Sequence, residues 1–345
     1  MDSISQFVLG AAIGELTLGR RIGRKAIVVG GLVGTLPDLD VLFHYADAVA
    51  SYTYHRSWSH SLVVLGLVSP FLAWFFHLSF PHRWVSQHES SESGLQPLRY
   101  ANWFWCMFLV LTTHPVLDGF TVYGTQLFWP FPVPPIALGS VFIIDPLYTL
   151  PLIIGLVVGY RNRHIVHRAM LAGLLVSSTY LVFTFVIQQH VRSIGVQSLQ
   201  DQRLGSHNVL VAPTPFSLLW RVVSMDGEHY HEGFYSLLDQ QKQVRFASYA
   251  SNRQMIDEHY SHWPISRLDW FTNGMISAQR EDNELIINDL RMGIEASFVF
   301  RFLVGQWNQS EFIGLESVQL PLELDEVRMR KLVQRAWNEK INVDP

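Results

Sequence analysis

The chain has 345 residues, of which 49% are hydrophobic and only 16% charged, with a formal net charge of −4 at pH 7. It is more apolar and less charged than a soluble domain of ordinary composition, and its acidic balance argues against the broad basic surface of a nucleic-acid binder. With one cysteine, Cys106, it has no intramolecular disulfide and no thiolate cage, so a metal site must use His, Asp or Glu.

The amino terminus lacks a basic region, short apolar core and small-residue cleavage site, so its first apolar segment is expected to stay in the mature protein. Residues 7–18 and 26–36 are apolar, short for spans and contain several glycines. They flank a basic knot of Arg20, Arg21, Arg24 and Lys25, and read as half-spans or a tight helical hairpin. Windows 61–80, 141–160 and 165–187 each come close to the ~20 residues a helix needs to cross the hydrocarbon core. A fourth window, 100–117, is rich in Trp, Phe and Leu and ends in polar residues. Basic loops remain cytoplasmic, which puts 20–25 and 161–168 inside. Alternation then places 35–60 and 119–140 outside and 82–99 inside, and the 119–140 loop contains no Lys or Arg.

Beyond about residue 190 the chain becomes mixed and polar. Runs 209–211, 218–223, 284–287 and 296–304 alternate or are rich in β-formers between turn signals, and a charged helix is expected over 324–340. The expected fold class is mainly α: a polytopic helical membrane bundle over 1–190, then a small β-rich or α+β extramembrane domain over 191–345. Orientation by basic loops makes that second domain periplasmic, on a bacterial inner-membrane protein.

Four short segments carry candidate chemistry: Pro37-Asp38-Leu39-Asp40, His55-Arg56-Ser57-Trp58-Ser59-His60, His114-Pro115-Val116-Leu117-Asp118 and Asp145-Pro146. Basic-loop topology places all four at the outer face. His114 and Asp118, four apart, share a helical face if the helix continues through Pro115. His55 and His60 straddle a loop-to-helix junction with Ser59 as a plausible N-cap. Ionisable groups at the ends of apolar helices are costly and tend to mark function, which singles out Asp118 and Asp145. Imidazole and carboxylate suit zinc, manganese or iron, ions whose natural chemistry is hydrolysis. Arg56 reads as a counter-ion to Asp38 or Asp40, or as a clamp on an anionic substrate. Glu15 is a buried partner of the basic knot or a site residue. His229, His231 and Glu232 either bind metal or, at strand spacing, share a wet face.

Together these motifs resemble a known family. Gly10-Ala11-Ala12-Ile13-Gly14-Glu15, Gly34-Thr35-Leu36-Pro37-Asp38-Leu39-Asp40, the His55 to Ser61 run, and Thr113-His114-Pro115-x-x-Asp118 followed by Tyr123-Gly124-Thr125 are similar to the LexA-regulated, inner-membrane-bound metal-dependent hydrolases. That family is distantly similar to zinc-dependent phospholipase C and single-strand nucleases. The resemblance implies Asp38, His55, His60, His114 and Asp118 as metal ligands, with Asp40 and Asp145 as further candidate ligands; Asp38, Asp40 and the Arg56 clamp are the catalytic candidates. Many members carry a Thr-His pair where this chain has Ser5 and Gln6. The function it implies is hydrolysis of a phosphoester or related ester of a lipid or envelope molecule, using zinc, or else manganese or iron, in contact with the lipid bilayer. The rivals are a non-enzymatic membrane scaffold or stress-response protein with a structural polar cluster, and a transporter.

Overall fold

The computed structural model describes residues 1–80, 98–215, 217–309 and 311–343. Of the expected inner loop 82–99, all but Leu98 and Arg99 lies outside the described residues. The chain opens with helix α1, Ser3–Ile22, capped by the Asp2 carboxylate, which accepts from the Ile4 and Ser5 amides. Helix α2, Lys25–Gly34, folds straight back on it. Small residues make that return possible. A Cβ at Gly10 would stand 2.3 Å from the Gly30 carbonyl oxygen, and one at Gly30 would stand 2.2 Å from the Gly10 oxygen. The two backbones therefore touch, as in small-residue helix pairs of membranes, and of the two expectations the tight hairpin is the one observed.

The 3-10 helix Leu36–Leu42 follows, then α3, Ala48–Tyr54, and α4, Leu62–Ser79. Ser61, not Ser59, caps α4 by accepting from the Val64 amide. Helix α5, Tyr100–Asp118, runs unbroken through Pro115. Helices α6, Pro146–Arg161, and α7, Val166–Asp201, complete the helical part.

Two of these helices, α4 and α7, are long and apolar enough to cross a membrane. Only 17% and 22% of their most apolar windows are buried, so those faces look outward. The sequence leads us to expect four such helices. In α5, Asn102, Thr112, Thr113, His114 and Asp118 dilute the apolar character. In α6, residues 141–145 form bends and irregular backbone rather than helix, which leaves 16 residues.

The rest is β-rich. One antiparallel sheet has the order β1-β2-β3-β4 (Asn208–Pro213, Leu219–Asp226, His229–Ser236, Phe246–Ala250). A second has the order β10-β9-β6-β5 (Glu311–Gln319, Arg301–Asn308, Glu284–Asp289, Ile276–Glu281). Helix α7 passes beyond residue 190, so that Val191, Ile194 and Leu199 pack on Val209, Val211 and Trp220 of the first sheet. The expected strand 296–304 is broken at Val299 and Phe300, and the charged helix is shorter than expected, Glu326–Arg335.

The second sheet and its helices grip α3. The Val49 amide donates to Ser317 Oγ at 2.7 Å, and Tyr52 Oη donates to Asp289 Oδ2 at 2.7 Å. Arg291 pairs with the same carboxylate at 2.7 Å and reaches Tyr52 Oη at 3.1 Å. Tyr123, from the loop after α5, donates to the Tyr52 carbonyl. This grip fixes the end of α3, from which His55 and Arg56 depart.

Candidate metal centre

At one end of the helical part, Asp38, His60, His114 and Asp118 converge, with one ligating atom from each lying within 4.8 Å of all the others. Asp38 comes from the 3-10 helix and His60 from the turn before α4. His114 and Asp118 come from successive turns of α5, as their spacing of four requires. The basic loops meet at the opposite end. Arg163 pairs with the buried Glu15 at 2.9 Å, and Arg24 reaches the Tyr160 carbonyl. Glu15 is thus far from the quartet and bound by the second basic loop.

Hydrogen bonds dictate the protonation pattern. His114 Nδ1 lies 2.6 Å from the Gly34 carbonyl; a carbonyl only accepts, so Nδ1 carries a proton and Nε2 is the nitrogen turned to the quartet. The α1–α2 contact is what carries Gly34 there. Ser59 Oγ donates to Asp40 Oδ2 at 2.6 Å and therefore accepts from His60 Nδ1 at 2.9 Å. His60 Nε2 likewise faces the quartet. Outer partners of this kind orient metal-binding imidazoles.

The two Nε2 atoms face each other at 3.1 Å. Around them, His60 Nε2 lies 3.1 Å from Asp118 Oδ2 and 3.5 Å from Asp38 Oδ1, and His114 Nε2 lies 3.5 and 3.3 Å from the same two oxygens. Two carboxylates and two imidazoles packed this closely need positive charge among them, which protons on the imidazoles, the Met1 amino group and Arg56, or a bound cation can supply. A tetrahedral zinc ion with bonds of about 2.0–2.1 Å separates its ligands by about 3.3–3.4 Å, and the five edges that involve an imidazole, 3.1–3.5 Å, bracket that value, with the edge between the two carboxylates within 4.8 Å. Asp38 Oδ2, Asp118 Oδ2 and Gln6 Oε1 are buried and find no hydrogen-bond partner among the described residues, which also fits an ion.

Asp118 is held from behind. Its Oδ1 accepts from the Met1 amino group and, at 3.0 Å, from Gln6 Nε2. Gln6 thus steadies a ligand without joining the four. Burial by itself would raise the Asp38 carboxyl, but the His114 and His60 imidazoles opposite hold it well below the usual carboxylate range.

His55 stands outside the quartet. Its Nδ1 donates to Asp40 Oδ1 at 2.9 Å, and its ring is 24% exposed. Asp40 also accepts from the Arg56 amide and from Ser59. Burial pushes that carboxyl up, but His55, His60 and the Ser59 hydroxyl together outweigh it and leave Asp40 below its ordinary value. Arg56 is buried with φ 59, a conformation that costs a non-glycine residue roughly 1–3 kcal/mol and clusters at functional sites. Its Nε is 3.5 Å from Asp118 Oδ2 and has no hydrogen-bond partner among the described residues. Asp118, not Asp38 or Asp40, is therefore its side-chain counter-ion.

Asp145 caps α6 and accepts from Tyr180 at 2.9 Å and Ser217 at 3.2 Å, tying α6 and α7 to the first sheet rather than joining the quartet. His231 is buried against Ser248 and Asp226, His229 is exposed, and Glu232 lies between Arg221 and Arg328. The orienting roles of Gly34 and Ser59 escape the sequence reading: Gly34 meets His114 across 80 residues, and Ser59, though next to His60, is turned to it by its bond to Asp40.

A model of the family described as YdjM inner membrane protein matches residues 1–191, which include all four residues of the quartet. The chain is also similar to a Bacillus subtilis (strain 168) protein described as uncharacterized protein YfhP, at 21% identity over 240 residues and 68% of each chain. No solved structure matches it significantly.

Proposed function

The chain belongs to the YdjM inner membrane protein family, and we propose that it is a metal-dependent hydrolase acting on a phosphoester or related ester of a lipid or envelope molecule. The quartet faces the periplasm in this reading. The observation that carries it is the pair of imidazoles whose Nδ1 protons are fixed by Gly34 and Ser59 and whose Nε2 atoms meet two carboxylates at zinc-like spacing. When bound by these four residues, a divalent ion, zinc first and manganese or iron next, would have to take a ligand beyond the four protein donors, and there it would supply an acidified water and polarise the ester oxygens.

The surrounding side chains supply the rest. The Arg56 guanidinium, with its Nε unbonded beside the quartet, holds an anionic oxygen of the ester. His55, with its Nδ1 proton kept by Asp40, takes or returns a proton at Nε2. Outward-facing apolar helices let a lipid approach sideways from the bilayer.

The test is cleavage of a fluorescent phosphodiester lipid by the full chain loaded with zinc or manganese. We expect His55→Ala to retain the ion and to lose about 10²- to 10⁴-fold in kcat. Wild-type protein that holds its ion and cleaves no ester, or unimpaired His55→Ala, overturns the reading. The rival is a scaffold with a structural cluster, and the Met1 amino group and Arg56 beside Asp118 favour it, because they already counter one carboxylate. It predicts no stoichiometric metal.

A further inference from the structure

Beside the quartet lies a cavity of about 530 Å³ that the metal centre does not use. Three ring pairs line it. Phe43 stands edge-on to Trp58 with centroids 5.5 Å apart, Tyr45 lies against Tyr54 at 5.2 Å, and Tyr52 against Phe300 at 4.3 Å. Asp40 and His55 form the wall shared with the metal centre, and no Lys or Arg is among the described lining residues.

We propose that this cavity is the headgroup site of the lipid substrate, and that it selects a headgroup ending in an organic ammonium over an anionic one. The inference rests on the hydrolase reading above for the word substrate, but the binding it describes does not require turnover.

Three observations carry it. First, ring faces attract cations; the carboxylate of the described lining residues is Asp40, and the lining groups able to answer an anion are the imidazoles of His44 and His55, the latter already bonded to Asp40. Arg56 and Arg267 lie 5.0 and 4.9 Å from the rings of Tyr123 and Tyr54. Those two rings already serve a cation, so the attraction falls to Phe43, Tyr45, Trp58 and Phe300. Second, Leu39, Val41, Leu42 and Phe43 are 50–68% exposed on the lip of the cavity, an apolar edge that suits contact with the chains of a bilayer lipid. Third, the shared wall of Asp40 and His55 places the cavity next to the quartet, so an ammonium among the rings leaves its neighbouring phosphate near Arg56. Phe300 belongs to the segment between β8, Ser297–Phe298, and β9, outside the matched family region. The second domain therefore supplies part of the selection.

The experiment is calorimetric titration of the chelator-treated full chain in detergent with dihexanoyl phosphatidylethanolamine and dihexanoyl phosphatidylglycerol. We expect the ethanolamine lipid to bind at least about tenfold more tightly. Tyr45→Leu and Phe300→Leu keep apolar bulk but remove a ring, and each should weaken that binding by about 2- to 30-fold while leaving the glycerol lipid unchanged. Unaltered zinc uptake shows that each variant is folded. Equal or tighter binding of the anionic lipid, or ring variants that bind as wild type does, overturns the proposal. Ammonium-selective binding without ester cleavage would instead sink the hydrolase reading and leave this site standing.

Discussion

His60→Ala and His114→Ala are each expected to weaken zinc binding by at least about 100-fold. Losing an outer partner of a metal-binding histidine typically costs about 10- to 100-fold, and here a direct nitrogen donor is lost. The effect should be graded with distance from the centre. Ser59→Ala removes only the acceptor that orients His60 and should fall in the 10- to 100-fold range. His55→Ala and Asp145→Asn should leave zinc affinity nearly unchanged, because His55 binds Asp40 and Asp145 binds Tyr180 and Ser217. Competition with a chromogenic chelator measures all five variants. Equal losses for His55 and His60 would mean that the quartet is misidentified.

Arg291→Met should destabilise the second domain and its seat on α3 by about 3–5 kcal/mol. Asp289 is fully buried, and Arg291 donates to both of its oxygens, so the substitution strands a charge in an apolar cluster of Phe271, Phe302 and Ile287. Tyr52 loses a donor at the same time. Because Tyr52 and Tyr123 support the segment that carries His55 and Arg56, the variant should lose esterase activity more than zinc affinity, whose four ligands lie on other elements. Thermal unfolding followed beside zinc uptake checks this. Wild-type stability in Arg291→Met would show that the buried pair does not hold the domains together.

How much of this was legible in the sequence depends on whether local spacing decides it. His114 and Asp118 were readable as a pair because four residues span one helical turn, and the structure carries that helix through Pro115. Asp38 was readable from its position after an apolar stretch. His55 and His60 could not be separated, because the left-handed turn at Arg56 is what sends one ring to Asp40 and the other to the quartet. Ser59 was legible as a polar residue at a junction and was given the wrong partner, since either Ser59 or Ser61 could have capped the next helix. Membrane character was legible in bulk, but counting spans from apolar windows overreached where Asp145 delays the start of α6. The β-rich nature of the second domain followed from its turns. Its grip on α3 did not, because Tyr52, Asp289 and Arg291 meet across more than 200 residues.

If two histidines and two aspartates hold a divalent ion, X-ray absorption at the zinc edge of the full chain, purified with zinc, should show one tightly held ion per chain with two imidazole nitrogens and carboxylate oxygens at about 2.0–2.2 Å. A chain that retains no zinc, or an ion whose shell contains no imidazole, would contradict that ligand set.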